Sequence, residues 1–221
     1  MIDTLISLVA PHYCCNCGGV GALLCDNCKY DIVFEDYNEC LTCGQNNDHS
    51  GICRACCPAY DRAWCVGERS GALQRLIGDY KFNNMRAAYR TLGELMLERM
   101  GNLPANTVVV PIPTVRAHIR ERGYDHTALL ARYIAKKAGI RTDHSLRRKT
   151  TTKQRDANKE TRIDQAKAAF VVHGTLRDDV PYLLVDDVAT TGATLEYAAQ
   201  QLRAAGARTI WVAVIARQPL D

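Results

Sequence analysis

All 11 cysteines of the chain fall between residues 14 and 65, and none occurs in the 156 residues that follow. Eight of them form four Cys-x-x-Cys pairs: Cys14 with Cys17, Cys25 with Cys28, Cys40 with Cys43, and Cys53 with Cys56. A Cys-x-x-Cys turn sets two thiolates at the spacing needed to share one Zn²⁺, and two such turns complete a tetrahedral site. Four pairs therefore predict two zinc ions. Gly18 and Gly44 directly follow two of the pairs, as a tight knuckle turn requires. Sequential pairing (14, 17, 25, 28 and 40, 43, 53, 56) is the simplest. An interleaved arrangement uses the same ligands, and Cys57 can replace Cys56 by a register shift. Cys15 and Cys65 are left over. A site closed by four thiolates has no open position, so these zincs are expected to be structural. The segment is too small to fold on core burial alone.

Two other uses of cysteine fit less well. A disulfide framework needs an oxidising compartment. The first ten residues contain Asp3 and no Lys or Arg, so they lack the basic start of a secretory signal. A redox Cys-x-x-Cys site needs one pair, not four. No apolar run approaches the roughly 18 residues that span a bilayer. The expectation is a cytoplasmic protein without membrane insertion. The oligomeric state is not legible.

Charge divides the chain at the same place as cysteine. Residues 1–66 hold 3 basic and 8 acidic residues, a formal −5, while the remainder holds 25 basic and 16 acidic, a formal +9. The basic part should attract phosphates or polyanions. We place a boundary near residue 62, giving a zinc-ribbon domain at 1–62 and an α/β domain at 63–221. In the latter, short apolar runs alternate with helical periodicity, as in a parallel sheet flanked by helices. The strands expected are Ala63–Val66, Thr107–Ile112, Tyr182–Val185 and Thr209–Ile215. The helices expected are Leu73–Lys81, Met85–Met100, Thr127–Ala138 and Ala193–Ala205, with Gly206 as a cap. Residues 141–167, rich in Arg, Lys, Thr and Gln, read as an extended segment.

The third of these strands runs into Asp186 and Asp187, then Ala189, Thr190, Thr191, Gly192, Ala193 and Thr194, then the last helix. Ligands of open parallel sheets sit outside the carboxyl ends of strands. Small residues at 189–194 let backbone N–H groups curl around a phosphate, and the helix N-terminus adds partial positive charge. Two carboxylates beside a phosphate would repel it unless they accept hydrogen bonds from a ribose diol or hold Mg²⁺. A second element, Val108–Pro113, runs into Arg116, Arg120 and Arg122-Gly123-Tyr124-Asp125. Arginines there can bind pyrophosphate, or they can form a solvated basic helix face. No His, Asp or Glu is marked by spacing as a general base. His126 beside this turn reads no better than as a solvated histidine.

Residues 183–195 resemble the thirteen-residue motif that binds phosphoribosyl pyrophosphate (PRPP) in type I phosphoribosyltransferases. The resemblance implies that Asp186 and Asp187 contact the ribose hydroxyls and that 189–194 hold the 5′-phosphate. The order of Pro-x-Pro, Arg-Gly-aromatic and Asp-Asp-Val-x-Thr-Thr-Gly, behind an N-terminal cysteine domain, is similar to the competence protein ComF family, which includes the GntX-type proteins. Leu146-Arg147-Arg148, Thr152, Gln154, Arg162 and Ala169-Phe170 fit it too, and Lys81 aligns with a common family lysine. Asp125 and Gln165 stand where the family usually has Asn.

The family resemblance implies a type I phosphoribosyltransferase fold in which the cysteine domain replaces the usual hood. It also implies PRPP with Mg²⁺ as ligand, Arg116, Arg122 and Lys81 near that ligand, and a part in single-stranded DNA uptake during natural transformation. Two alternatives stay open. One is a nucleic-acid-binding module that uses PRPP only as a ligand, served by the basic segment Arg141, Arg147, Arg148, Lys149, Lys153, Arg155, Lys159 and Arg162. The other is a nucleobase-salvage phosphoribosyltransferase, which the lack of a recognisable base-selecting hood disfavours.

Overall fold

A computed structural model describes residues 12–46, 52–83, 85–149 and 169–219. The elements are α1 (Asp26–Phe34), β1 (Arg62–Glu68), α2 (Gly71–Phe82), α3 (Ala88–Met100), β2 (Val108–Pro111), α4 (Arg116–Arg122), α5 (His126–Ala138), β3 (Arg141–Thr142), β4 (Leu146–Arg148), β5 (Phe170–Val172), β6 (Pro181–Ala189), α6 (Ala193–Ala204) and β7 (Thr209–Arg217). Five strands form one sheet in the order β1-β7-β6-β2-β3, with every pairing parallel. An antiparallel pair, β4-β5, stands beside it.

The sheet is buried on both faces, which explains why its strands are continuous apolar runs. Leu183, Leu184 and Val185 of β6 are fully buried and alternate between two hydrophobic clusters, as a period of two demands. Each such side chain contributes about 1.5–3 kcal/mol of burial. Leu183 and Val185 face α2, α3 and α5, where Cys14, Leu23, Leu24 and Cys28 of the first cysteine unit also pack. Leu184 faces α6, together with Leu146, Phe170, Leu41 and Tyr60. In α6 the buried positions Leu195, Ala198, Ala199 and Leu202 are the helical stripe read from sequence. Because all five strands run the same way, the carboxyl ends of β1, β7, β6 and β2 share one edge of the sheet. That edge carries Glu68, Arg217, Asp186–Ala189 and Pro111.

The four expected strands and four expected helices are all present, with ends shifted by up to four residues. Five elements were not expected, the last being β5 at Phe170–Val172. α1 lies inside the cysteine segment, α4 covers the arginine-rich turn, and β3 and β4 occupy the start of the segment read as merely extended. Thr152, Lys153, Gln154, Arg155, Lys159, Arg162 and Gln165 lie outside the described residues.

Candidate functional site

The site begins at the carboxyl end of β6. Asp187 is 5% exposed, and its Oδ2 lies 2.7 Å from Lys81 Nζ and 2.6 Å from His126 Nε2. Both partners arrive on helical stripes. Lys81 follows Ile77 by one turn on α2, and His126 precedes Leu130 and Ile134 on α5, all on buried faces. His126 is therefore not solvated. Its own exposure is 5%, Tyr80 donates a hydrogen bond to its carbonyl at 2.7 Å, and Arg122 Nη1 lies 3.1 Å from its Nδ1. A guanidinium only donates, so Nδ1 accepts and the ring proton sits on Nε2, the nitrogen nearest Asp187. The Tyr124 hydroxyl in turn donates to the Tyr80 carbonyl and closes the cluster.

The two carboxyl groups differ. Burial opposes ionisation of Asp187, but the hydrogen bond from His126 and the charge of Lys81 outweigh it and hold this carboxyl well below its usual range. Asp186 is half-buried. Burial first, and the Asp187 charge second, push it up to about 8, against the opposing pull of the Asp187 amide, Lys81 and Arg148. The Asp187 N–H donates to Asp186 Oδ1 at 2.9 Å. One carboxyl of the pair is thus a fixed anion, and the other ionises far less readily.

Beyond β6 the chain turns into α6. Thr190, Thr191 and Thr194 are exposed. Gly192 takes φ 73°, a left-handed conformation that suits glycine, and is the N-cap of α6. The first amides of α6 have no intrahelical acceptor, so they are available to an anion. Ala193 N–H reaches Thr191 Oγ1 at 3.4 Å.

The arginines separate. Arg122 turns inward to His126 and lies over the Phe82 ring at 5.4 Å. Arg116 and Arg120 are exposed on α4. Asp125 is not a stray negative charge. It is the N-cap of α5, accepting from Ala128 N–H at 3.1 Å and from the Thr114 and Thr127 hydroxyls at 2.9 Å each. Asn caps helices about as well as Asp, which accounts for an exchange of the two here.

The cysteines resolve into two sequential tetrads, Cys14-Cys17-Cys25-Cys28 and Cys40-Cys43-Cys53-Cys56, each with its ligand atoms within 4.8 Å of one another. Backbone N–H groups point at sulfur as in metal knuckles: Cys25 N–H to Cys14 Sγ and Thr42 N–H to Cys40 Sγ, each at 3.4 Å. In the first tetrad burial raises the Cys14 thiol, but amides of Cys17, Cys25 and Asn16 bring it down to about 6. The Asn16 amide lowers Cys28, yet neighbouring sulfurs and burial carry it up to about 12. Four sulfurs this close do not all ionise unaided, and a divalent cation relieves the conflict. Both tetrads can hold zinc. Cys57 points away to the Arg54 carbonyl, at 2.8 Å, so it does not replace Cys56.

The fold and site define an open parallel α/β protein with paired carboxyls and a small-residue loop at one strand end, joined to a cysteine segment with two metal tetrads. The chain belongs to the competence protein F (ComF) family. It is 30% identical to "Competence protein F" of Haemophilus influenzae over 88% of this chain and 90% of that one. It is 26% identical to "DNA utilization protein YhgH" of Salmonella typhi over 95% and 99%. No protein-family model matches the chain. Among solved structures it is similar to an adenine phosphoribosyltransferase from Thermoanaerobacter pseudethanolicus, with a TM-score of 0.40 and 11% identity over 62% of this chain and 83% of that one. No helix among the described residues is long and apolar enough to cross a membrane.

Proposed function

We propose that this chain is a PRPP-dependent protein that handles single-stranded DNA, with residues 63–221 binding PRPP and Mg²⁺ and residues 1–62 forming a double zinc ribbon. One observation carries the reading. Asp186 and Asp187 lie near the carboxyl end of β6, and six residues beyond Asp187 the chain has passed a left-handed Gly192 into the N-terminus of α6. A ribose 5-phosphate spans such a site with its diol at the carboxyls and its phosphate at 189–194.

Lys81 and Arg122 supply the charge for pyrophosphate. Lys81 has three donors, so it can reach an anion while keeping Asp187. Arg116 is a more distant, solvent-facing contributor. His126 holds Asp187 in place through the close contact of its Nε2 with Oδ2. Mg²⁺, held by the carboxyl pair and the ligand, would neutralise the charge that develops on a departing pyrophosphate. The protein's own part is positioning and charge stabilisation. The names of the two relatives point towards competence and DNA use.

The test is pyrophosphate release from PRPP and Mg²⁺, with and without single-stranded DNA and with a panel of nucleobases. Release that depends on DNA supports the reading. Release with one free base supports a salvage enzyme.

A second reading, a binding module without chemistry, is favoured by Tyr30 and Phe34. These rings stack at 5.5 Å on the open face of α1 and are 64% and 75% exposed. Exposed aromatics are platforms for unpaired bases. That reading predicts DNA binding with steep salt dependence, indifferent to Asp186→Asn and Asp187→Asn, and no pyrophosphate release under any condition.

A further inference from the structure

The second metal knuckle, Cys40–Gly44, meets the 189–194 loop directly at Gly192 and, through Arg217, at Ala189. At the far end, a Cβ added to Gly192 would lie 3.0 Å from Thr42 Oγ1 and 3.3 Å from the Leu41 carbonyl oxygen, so the knuckle backbone rests on this glycine. At the near end, Ala189 pairs with Arg217 of β7, and Gln218 N–H donates to the Ala189 carbonyl at 2.8 Å. The Arg217 side chain is buried, 2% exposed, and turns its Nε and Nη2 to the knuckle while Nη1 lies 3.8 Å from Glu39. Nε lies 3.2 Å from the Leu41 carbonyl oxygen, Nη2 lies 3.5 Å from that of Thr42, and Gly44 leaves the room the guanidinium occupies. A third tie follows the tetrad. Glu196, in the first turn of α6, accepts from Ala59 N–H at 2.9 Å.

Among the described residues, the first tetrad has no such relation to the loop. Its ties run to α2 and α3, with Arg75 Nε donating to the Cys15 carbonyl at 2.6 Å and Lys29 paired with Glu94 and Glu98.

We propose that the Cys40–Gly44 knuckle is a structural part of the phosphate site, so that metal held by Cys40, Cys43, Cys53 and Cys56 and a phosphate ester held by 189–194 stabilise one another. The proposal rests on the phosphate reading of that loop. Its physical basis is shared geometry. The knuckle carbonyls are placed by the metal turn, and Gly192 can settle around a phosphate only where they leave space. A loop fixed by a ligand in turn fixes the surface on which the knuckle rests. Such coupling is reciprocal.

The test is hydrogen–deuterium exchange on the zinc-loaded full chain, with and without PRPP and Mg²⁺. The account expects PRPP to slow exchange in peptides covering 189–194 and also 40–46, the latter by at least about fivefold, the lower end of common site-to-site coupling. Peptides covering 14–20 should be unchanged. Zinc release to a chromogenic chelator should then show one of the two ions slowed by a similar factor. Protection of 189–194 without 40–46 overturns the coupling and leaves the phosphate reading standing. Equal protection of 14–20 and 40–46 also overturns it, because general tightening then suffices. Protection of neither loop nor knuckle overturns both proposals.

Discussion

His126 Nε2 lies 2.6 Å from Asp187 Oδ2, although 61 residues separate them along the chain and neither is more than 5% exposed. This contact joins the start of α5 to the end of β6 and fixes one carboxyl of the pair. Lys81 completes it from α2. Three elements thus converge on a single oxygen atom.

Removing one partner of this buried cluster should be costly. Lys81→Met is expected to destabilise the protein by about 3 kcal/mol, because Asp187 keeps its charge in a buried place. Adding Asp187→Asn should recover most of the loss. Chemical denaturation of the two single variants and the double variant at neutral pH measures the coupling. Losses that simply add would contradict the geometry.

The two carboxyls should respond to pH with opposite signs. Asp187 is held below its ordinary value of 3.8, so its contribution is complete above that value and is lost as pH falls further. Asp186 is raised from 3.8 to about 8, so the folded state keeps a proton that the unfolded chain releases. Its contribution therefore falls as pH rises from 3.8 to about 8 and is constant above. Without PRPP or Mg²⁺, Asp186→Asn should raise Tm most at alkaline pH, with a gain that vanishes towards pH 4. Thermal unfolding across that range checks the sign. A variant less stable than wild type at alkaline pH would count against the assignment.

Asp125 gives a smaller effect. Asp125→Asn should be nearly neutral, and Asp125→Ala should cost about 1 kcal/mol through loss of the α5 cap. Parallel denaturation curves decide it, and an Asn variant as unstable as the Ala variant would show that the charge matters more than the cap.

Elemental analysis should find two zinc ions per chain. Strong chelation should unfold the cysteine segment, since its folding depends on metal. A content near one would mean that one tetrad has degenerated, and circular dichroism unchanged by chelation would remove the structural role.

Much of this was legible in the sequence because it depends on local pattern. The strand Leu183–Val185 is an unbroken apolar run, the α6 stripe has helical spacing, and the paired cysteines announce their ligands. The expectation failed where the answer lay between elements. His126 carried no marked role by spacing, yet its place one turn before Leu130 and two before Ile134 puts it on the buried stripe of α5. Lys81 carried the same signal one turn after Ile77. Asp125 carries the signature of an N-cap, standing directly before the first residue of α5. Arg217 offered no local sign. It ends an apolar strand, and only the sheet order β1-β7-β6 sets it under the second knuckle. Arg148 likewise comes within electrostatic reach of Asp186 only through the β4-β5 pair.

The central claim is that residues 186–194 bind PRPP. Calorimetric titration of PRPP with Mg²⁺ into the zinc-loaded protein, beside the Asp186→Asn/Asp187→Asn variant, tests it most directly. The account predicts saturable binding to the wild type at one site per chain, and a loss of at least about tenfold in affinity in the variant, the effect of roughly one charge-assisted hydrogen bond. Equal affinity in the two proteins, or no binding to the wild type, would contradict it.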